Sequence, residues 1–309
     1  MLDNIAKKLL SHNKIYIITH ENPDGDALGS SFALKFALNS LGKDAQVVLN
    51  GPLPVSFEFT GWKPLIWSEN LSADCVVGLD FNVLSRAGNS ALLFEMAEDK
   101  ILIDHHLGCE IAGELMESRP TAAATGEIIY ELINKLCPHV SKEIAECIYI
   151  AIMTDTGGCR YSNTTKNTHL ILADLIDKID HAYITRMVLE LMSREKLEIH
   201  KFALNNFEFY KNCEICTISV ESSMMKNEDL LNGIVNIALN IEGVKAGVLF
   251  KQRDENVTKV SLRTTGDVDA REICALFSGG GHKNAAGCTI EKSLCDAKKL
   301  FIERLSERI

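Results

Sequence analysis

The chain has 309 residues, of which 46% are hydrophobic and 24% are charged, and its formal net charge is −10. This length and composition are typical of a globular protein with about two domains. Long duplex DNA is excluded as a partner, because proteins that track DNA carry a basic face, and the absence of an apolar run of eighteen residues excludes a membrane span. The first ten residues are amphipathic and lack the apolar core of a signal peptide, so we expect a cytoplasmic protein.

An imidazole and two carboxylates follow the first predicted strand. Residues 14–18 form an apolar run that predicts a buried strand, and the apolar positions of residues 28–41 recur at helical spacing. Between them lie His20, Asp24 and Asp26, at the carboxyl end of a strand, where ligands bind in α/β proteins. One nitrogen and two oxygen ligands suit manganese, zinc or iron better than calcium. The alternative is an ordinary loop with a helix N-cap.

Three more strands are predicted in the first half of the chain. They are apolar runs at residues 46–50, 75–80 and 100–103. Continuous apolar strands separated by helical stretches indicate a parallel sheet covered on both faces. Asp80 ends the third strand, and Asp104, His105 and His106 follow the fourth. Because parallel strands place their carboxyl ends along one edge of the sheet, we expect these side chains to converge with His20.

Helices are predicted at residues 125–136 and 141–153, and the second delivers Asp155 in a glycine-rich turn. Further helices are predicted at residues 171–179 and 185–191, and residues 193–211 are interpreted as a connection between domains. The predicted edge now holds five aspartates and three histidines. Carboxylates at short range repel one another, which raises their pKa and lowers stability. Two bound metal ions that share one carboxylate would relieve this repulsion.

The second half of the chain has a different pattern. Strands are predicted at residues 215–220, 246–251 and 257–264, and helices at residues 230–239 and 268–277. A run of three glycines then precedes His282. Successive glycine amides can bind an anion, although a flexible turn is the alternative interpretation.

These motifs together resemble the DHH phosphoesterase superfamily, which is named for the triplet at residues 104–106. The run Gly-Gly-Gly-His-x-x-Ala-Ala-Gly at residues 279–287 resembles the DHH-associated C-terminal domain. The resemblance implies an α/β fold class: a parallel-sheet N-terminal DHH domain with helices on both faces, a helical connector and a smaller α/β C-terminal domain. The expected boundaries are 1–190 for the catalytic domain, 191–212 for the connector and 213–309 for the substrate-binding domain.

The resemblance also implies roles for individual residues. It implies two divalent metal ions, usually manganese, with magnesium or another transition metal as alternatives. The implied metal ligands are His20 and Asp24 on the first ion, Asp26, His105 and Asp155 on the second, and Asp80 bridging both. His106 would face the phosphate, with Asp104 orienting a histidine, and the implied substrate contacts of the second domain are Arg263, Gly280, Gly281 and His282.

The implied activity is that of a phosphoesterase acting on short oligoribonucleotides or on 3′-phosphoadenosine 5′-phosphate (pAp), through attack of a metal-bridging hydroxide. A close alternative is hydrolysis of cyclic dinucleotides or of their linear product pNpN, since those enzymes share both domains. Inorganic pyrophosphatase, single-strand DNA exonuclease and silent nucleotide sensor are further alternatives. Apolar helical surface suggests a homodimer.

Overall fold

The structure, a computed structural model, describes residues 1–111, 115–137, 139–221, 231 and 233–309. The chain divides into two units, Met1–Leu191 and Met192–Ile309. Each has its own sheet and its own apolar core. None of the helices within these described ranges is long and apolar enough to cross a membrane.

The first unit is built on a six-stranded sheet in which every neighbouring pair is parallel. Its strands are β1 (Lys14–Ile18), β2 (Asp44–Leu49), β3 (Leu65–Ile66), β4 (Cys75–Leu79), β5 (Asp99–Asp104) and β6 (Leu115–Ser118). Their order in the sheet is β3-β2-β1-β4-β5-β6. The order therefore reverses between β1 and β4, and the loops that follow these two strands lie side by side at the carboxyl edge.

Helices cover both faces of this sheet, as a parallel sheet requires. They are α1 (Leu2–Ser11), α2 (Gly25–Ser40), α3 (Ala91–Met96), α4 (Thr125–Leu136), α5 (Lys142–Asp155), α6 (Lys166–Ile176) and α7 (His181–Thr185). Short 3₁₀ segments lie at Val55–Thr60 and Leu84–Ser90, and a π-helical turn lies at Arg186–Glu190. Alternate residues of the central strands β1, β2, β4 and β5 belong to two separate apolar clusters: Ile17 lies in the cluster with α1, α2, α4 and α5, and Ile18 lies in the cluster with α3.

The second unit contains a smaller domain with a mixed sheet. Its strands are β7 (Glu208–Tyr210), β8 (Ile215–Val220), β9 (Ala246–Asp254), β10 (Val257–Thr264), β11 (Gly280–His282) and β12 (Ala285–Ile290), in the order β11-β12-β10-β9-β8-β7. Only β8 and β9 are parallel among these pairs. Its helices are α8 (Arg194–Asn205), α9 (Ile234–Leu239), α10 (Ala270–Ala275) and α11 (Leu294–Ser306). The predicted fold class is confirmed by this architecture and by a solved relative described below.

Several predicted elements differ in their bounds. The helix predicted at residues 171–179 begins earlier, because Thr165 and Thr168 form a reciprocal capping box that starts α6 at Lys166. The helix predicted at residues 268–277 begins at Ala270, because the Asp269 carboxylate accepts the first free amides. The helix predicted at residues 230–239 is observed from Ile234, while residues 230 and 232 lie outside the described part of the chain.

Gly29 sets the separation between α2 and α5. A Cβ atom at this position would lie 2.4 Å from the Cys147 carbonyl oxygen and 2.9 Å from the Ala151 amide nitrogen, so the two backbones meet directly. The contact matters for the site, because α2 carries Asp26 in its first turn and α5 ends at Asp155.

We expect Gly29→Ala to destabilise the protein by about 1–2 kcal/mol. Overpacking a core costs about 1–3 kcal/mol, and the direct backbone contact places this site in the upper part of that range. The gain in helix propensity on replacing glycine with alanine, about 1 kcal/mol, offsets part of the cost. Urea unfolding measures the difference. Gly51→Ala is the matched control, because nothing lies within 4 Å of a Cβ at Gly51, and its effect should stay within about 0.5 kcal/mol. Equal stability of the Gly29→Ala and wild-type proteins would contradict the close approach of α2 and α5.

Candidate metal centre

The loop after β1 places one histidine and two aspartates at the carboxyl edge of the first sheet. Asp24 is the N-cap of α2, and its Oδ1 atom accepts hydrogen bonds from the amides of Asp26 (3.0 Å) and Ala27 (3.1 Å). Asp26 is buried in the first turn of the helix, and His20 is 8% exposed. The segment is therefore a helix cap, as the alternative interpretation held, and it also brings three potential ligands to this edge.

Asp80 occupies the centre of the edge. It follows β4, is 2% exposed and has a φ of 66°, a left-handed conformation that aspartate tolerates better than most residues. Its Oδ2 atom lies 3.7 Å from His20 Nε2, and its Oδ1 atom lies 3.6 Å from His105 Nε2 and 3.7 Å from His106 Nδ1. One carboxylate thus lies beside histidines from two different loops.

The remaining predicted ligands gather around His105. Its Nε2 atom lies 3.8 Å from Asp26 Oδ2 and 3.5 Å from Asp155 Oδ2. His20 Nε2 lies 4.0 Å from Asp24 Oδ1 on the other side of Asp80. The six residues come from three strand ends and two helix ends, and the fold brings all of them together.

The N-terminus of α4 holds the two most buried carboxylates in place. The backbone amides of Thr125 and Gly126 donate to Asp26 at 2.7 and 2.9 Å, and the Thr125 hydroxyl donates to Asp80 Oδ1 at 2.9 Å. The free amides and the dipole of a helix N-terminus stabilise negative charge. Thr125 belongs to none of the sequence motifs; its position at the start of a predicted helix, shortly after the Asp-His-His triplet, is the signal that was available.

These contacts only partly offset the burial of negative charge. Burial raises the pKa of Asp26 well above its usual range, and the nearby carboxylates of Asp80 and Asp155 raise it further. Burial likewise raises the pKa of Asp80, and Asp24 adds to the effect. Burial lowers the pKa of His105, but the carboxylates of Asp26 and Asp155 more than reverse this, so the His105 pKa is raised overall.

His106 and Asp104 form a separate pair at the same edge. His106 Nδ1 lies 2.7 Å from Asp104 Oδ1. This contact fixes the orientation of the His106 ring and leaves Nε2 for another partner. Asp104 is fully buried, and its other oxygen, Oδ2, has no hydrogen-bond partner among the described residues.

The donor set fits divalent metal ions. Three groups of side chains bring ligand atoms within 4.8 Å of one another, and they are His20 with Asp24 and Asp80, Asp26 with His105 and Asp155, and Asp80 with His105 and His106. Atoms bound to one ion at about 2.1 Å lie at most about 4.2 Å apart, which matches the separations of 3.5–4.0 Å measured here. These separations are too long for hydrogen bonds. Mixed imidazole and carboxylate ligands suit manganese, iron and zinc.

The four predicted substrate contacts lie together in the second unit. Gly280, Gly281 and His282 form the edge strand β11. In the register of the sheet Ala285 is opposite both Arg263 and His282. Because cross-strand partners point to the same face, the Arg263 and His282 side chains share one face of the sheet with only a methyl group between them.

Family models match both parts of the chain. Residues 14–152 match the N-terminal domain of the DHH family, and residues 218–309 match the DHHA1 domain. A curated relative from Thermus thermophilus, a bifunctional oligoribonuclease and PAP phosphatase, is 32% identical over 96% of this chain and 87% of its own length. The chain belongs to the DHH phosphoesterase superfamily.

Other relatives extend the similarity across both units of this DHH protein. A second bifunctional oligoribonuclease and PAP phosphatase, from Bacillus subtilis, is 25% identical over 94% of this chain and 93% of its own length. The crystal structure of an exopolyphosphatase-related protein from Bacteroides fragilis superimposes with a TM-score of 0.90 at 31% identity, and covers 99% of this chain and 95% of that one. The homologues of this DHH protein are thus hydrolases, and the family uses divalent metals.

We expect Thr125→Val to weaken Mn²⁺ binding about 10- to 100-fold, the usual effect of removing a side chain that orients a metal ligand. Valine keeps the branched shape but cannot donate to Asp80, whereas Thr125→Ser keeps the hydroxyl and should bind Mn²⁺ like the wild type. Calorimetric titration of metal-free protein measures the affinity, and urea unfolding of each variant serves as the folding control. Wild-type affinity in a folded Thr125→Val protein would exclude this role for Thr125.

Proposed function

We propose that this DHH protein is a metal-dependent phosphoesterase that hydrolyses short oligoribonucleotides and pAp. The observation that carries the proposal is the central position of Asp80, whose two oxygens lie 3.7 Å from His20 and 3.6 Å from His105, between two groups of potential ligands. The printed activities of the Thermus and Bacillus relatives support the substrate class.

In this proposal two ions share the centre, and manganese is the preferred metal. His20 and Asp24 would hold one ion, Asp26, His105 and Asp155 would hold the second, and Asp80 would serve both. Bound there, divalent cations would supply a hydroxide nucleophile near neutral pH and would offset negative charge on the phosphoryl oxygens.

The protein's own side chains have distinct tasks. Asp104 orients the His106 ring, since Asp104 Oδ1 and His106 Nδ1 lie 2.7 Å apart. His106 Nε2 would then face the substrate phosphate and contact a phosphate oxygen or the departing ribose oxygen. In the second unit, Arg263 and His282 would bind substrate phosphate from the face that they share, with the amides of Gly280 and Gly281 beside them.

The formal net charge of −10 favours short substrates over long duplex DNA, because a small anion needs only a local cationic site. Relatives of known structure with other substrates, such as a pGpG-specific phosphodiesterase from Vibrio at 13% identity and a TM-score of 0.51, share the fold. They do not favour a second substrate class for this chain.

The test is a substrate panel with the Mn²⁺-loaded protein: pAp, RNA of three to five nucleotides, pNpN, pyrophosphate and a long DNA duplex. We expect release of phosphate from pAp and of mononucleotides from short RNA, with little action on pyrophosphate or the duplex. Preference for pNpN would support the dinucleotide alternative, and exclusive cleavage of pyrophosphate would contradict the proposal.

Asp80→Asn should lower kcat by at least about 10³-fold, because several kcal/mol of charge stabilisation depend on both ions. Asp44→Asn is the matched control, since it removes the same charge at the opposite, amino edge of the sheet, where Asp44 is exposed. Steady-state kinetics in metal-defined buffer measure both. Full activity of Asp80→Asn would exclude the bridging role of Asp80.

A further inference from the structure

Arg86 lies at the point of the first sheet where ligands bind in open α/β folds. The strand order reverses between β1 and β4, and the crevice outside their carboxyl ends is the usual binding position. The loop after β1 carries His20, and the loop after β4 carries Asp80 and then Arg86. Nothing in the sequence motifs singled out this arginine.

The backbone around Arg86 is fixed by hydrogen bonds from two other loops. The Glu21 amide donates to the Arg86 carbonyl at 2.7 Å, and the Arg86 amide donates to the Val83 carbonyl at 3.1 Å. The next carbonyl, that of Ala87, accepts from the Asn50 side chain at 2.9 Å. The base of the arginine side chain is therefore held beside His20 by the loops that follow β1 and β2, which is the preorganisation that a binding residue needs.

The Arg86 segment packs against the loop that carries His20. The Glu21 amide that donates to the Arg86 carbonyl belongs to the residue directly after His20, and a Cβ atom at Gly88 would lie 3.2 Å from the Glu21 side chain. Arg86 is half-buried, so part of the residue remains exposed.

Arg86 differs from the other arginines of this edge in having no partner for its guanidinium within the described ranges. Arg119, which follows β6, donates to Glu117 at 2.8 Å and to Glu131 at 2.7 Å. Arg160, in the loop after α5, donates its Nε to the Gly157 carbonyl at 2.6 Å. Arg86 lies near a group of acids but outside ion-pair distance of them. Its guanidinium is therefore free to bind another anion.

The charge balance of the centre favours a nearby cation. The edge contains five carboxylates, those of Asp24, Asp26, Asp80, Asp104 and Asp155. With two divalent ions bound and the histidines neutral, the centre keeps a residual charge of about −1. A substrate phosphate adds one or two more negative charges. A neighbouring guanidinium offsets that repulsion.

We propose that the Arg86 guanidinium binds the substrate phosphate at the carboxyl edge of β1 and β4, and that it favours dianionic phosphate monoesters over phosphodiesters. The planar guanidinium offers two parallel N–H donors to a phosphate, and a dianion gains more from its charge than a monoanion. The identity of the substrates rests on the proposed function, whereas phosphate binding by Arg86 can be measured without any turnover.

The experiment compares Arg86→Ala, Arg86→Lys and Lys142→Ala in the Mn²⁺-loaded full chain. Calorimetry measures the affinity for inorganic phosphate, and kinetics measure KM and kcat for pAp and for a diribonucleotide. Lys142 is the charge-matched control, because it is 64% exposed and begins α5, about 20 Å along the helix from Asp155.

We expect Arg86→Ala to weaken phosphate binding and to raise KM for pAp by about 10- to 100-fold, the range for a charged hydrogen bond. KM for the diribonucleotide should rise less, and kcat should change less than KM. Arg86→Lys should recover part of the loss, since it keeps the charge without the planar fork. Lys142→Ala should behave like the wild type, and Mn²⁺ affinity should not fall in any variant.

Unchanged phosphate affinity in Arg86→Ala would overturn the proposal, as would an equal loss in Lys142→Ala or a loss explained by weaker Mn²⁺ binding. If the wild-type protein hydrolysed neither pAp nor short RNA, the proposed function would fail, while the phosphate titration would still decide the role of Arg86.

Discussion

The structure of the first unit depends on keeping negative charge inside an otherwise apolar fold. Asp26, Asp80 and Asp104 are almost completely buried at one edge of the sheet, and burial raises the pKa of the first two. An isolated buried carboxylate costs several kcal/mol. The chain offsets part of this cost with the amides that begin α4 and with the imidazole of His105. The remainder is what divalent cations would offset.

Helix packing and strand order both position side chains at this edge of the sheet. The contact at Gly29 sets how closely α5 approaches α2, and these helices carry Asp155 and Asp26. The reversal of strand order brings the loops after β1 and β4 together, so His20 and Asp80 become neighbours although sixty residues separate them. The proposed contact of Arg86 with phosphate uses the same reversal. Fold and chemistry are thus linked through one edge of one sheet.

Much of this arrangement could be predicted from the sequence, because apolar strands in a parallel sheet all end on the same side. That rule predicted that His20, Asp80 and the Asp-His-His triplet lie at one edge. The pattern of apolar strands and helical stretches predicted the fold class. It could not find Thr125 or Arg86, which act through contacts that arise only when separate loops meet. It also did not predict β11, since a glycine run has no strand pattern, and its pairing with β12 is set by the register of the whole second sheet.

The most direct test of this account is the unfolding free energy of the wild-type and Asp80→Asn proteins at neutral pH, each measured in chelator and in saturating Mn²⁺. Because the folded-state pKa of Asp80 is raised above its ordinary value of 3.8, the stability contributed by its protonated form is lost as the pH rises through the raised value. The account predicts that Asp80→Asn is more stable than the wild type in chelator, by about 0.5–2 kcal/mol. In Mn²⁺ at 100 times its dissociation constant the wild type should gain about 2.7 kcal/mol per bound ion and become the more stable protein. A less stable Asp80→Asn protein in chelator, together with an equal response of both proteins to Mn²⁺, would contradict it.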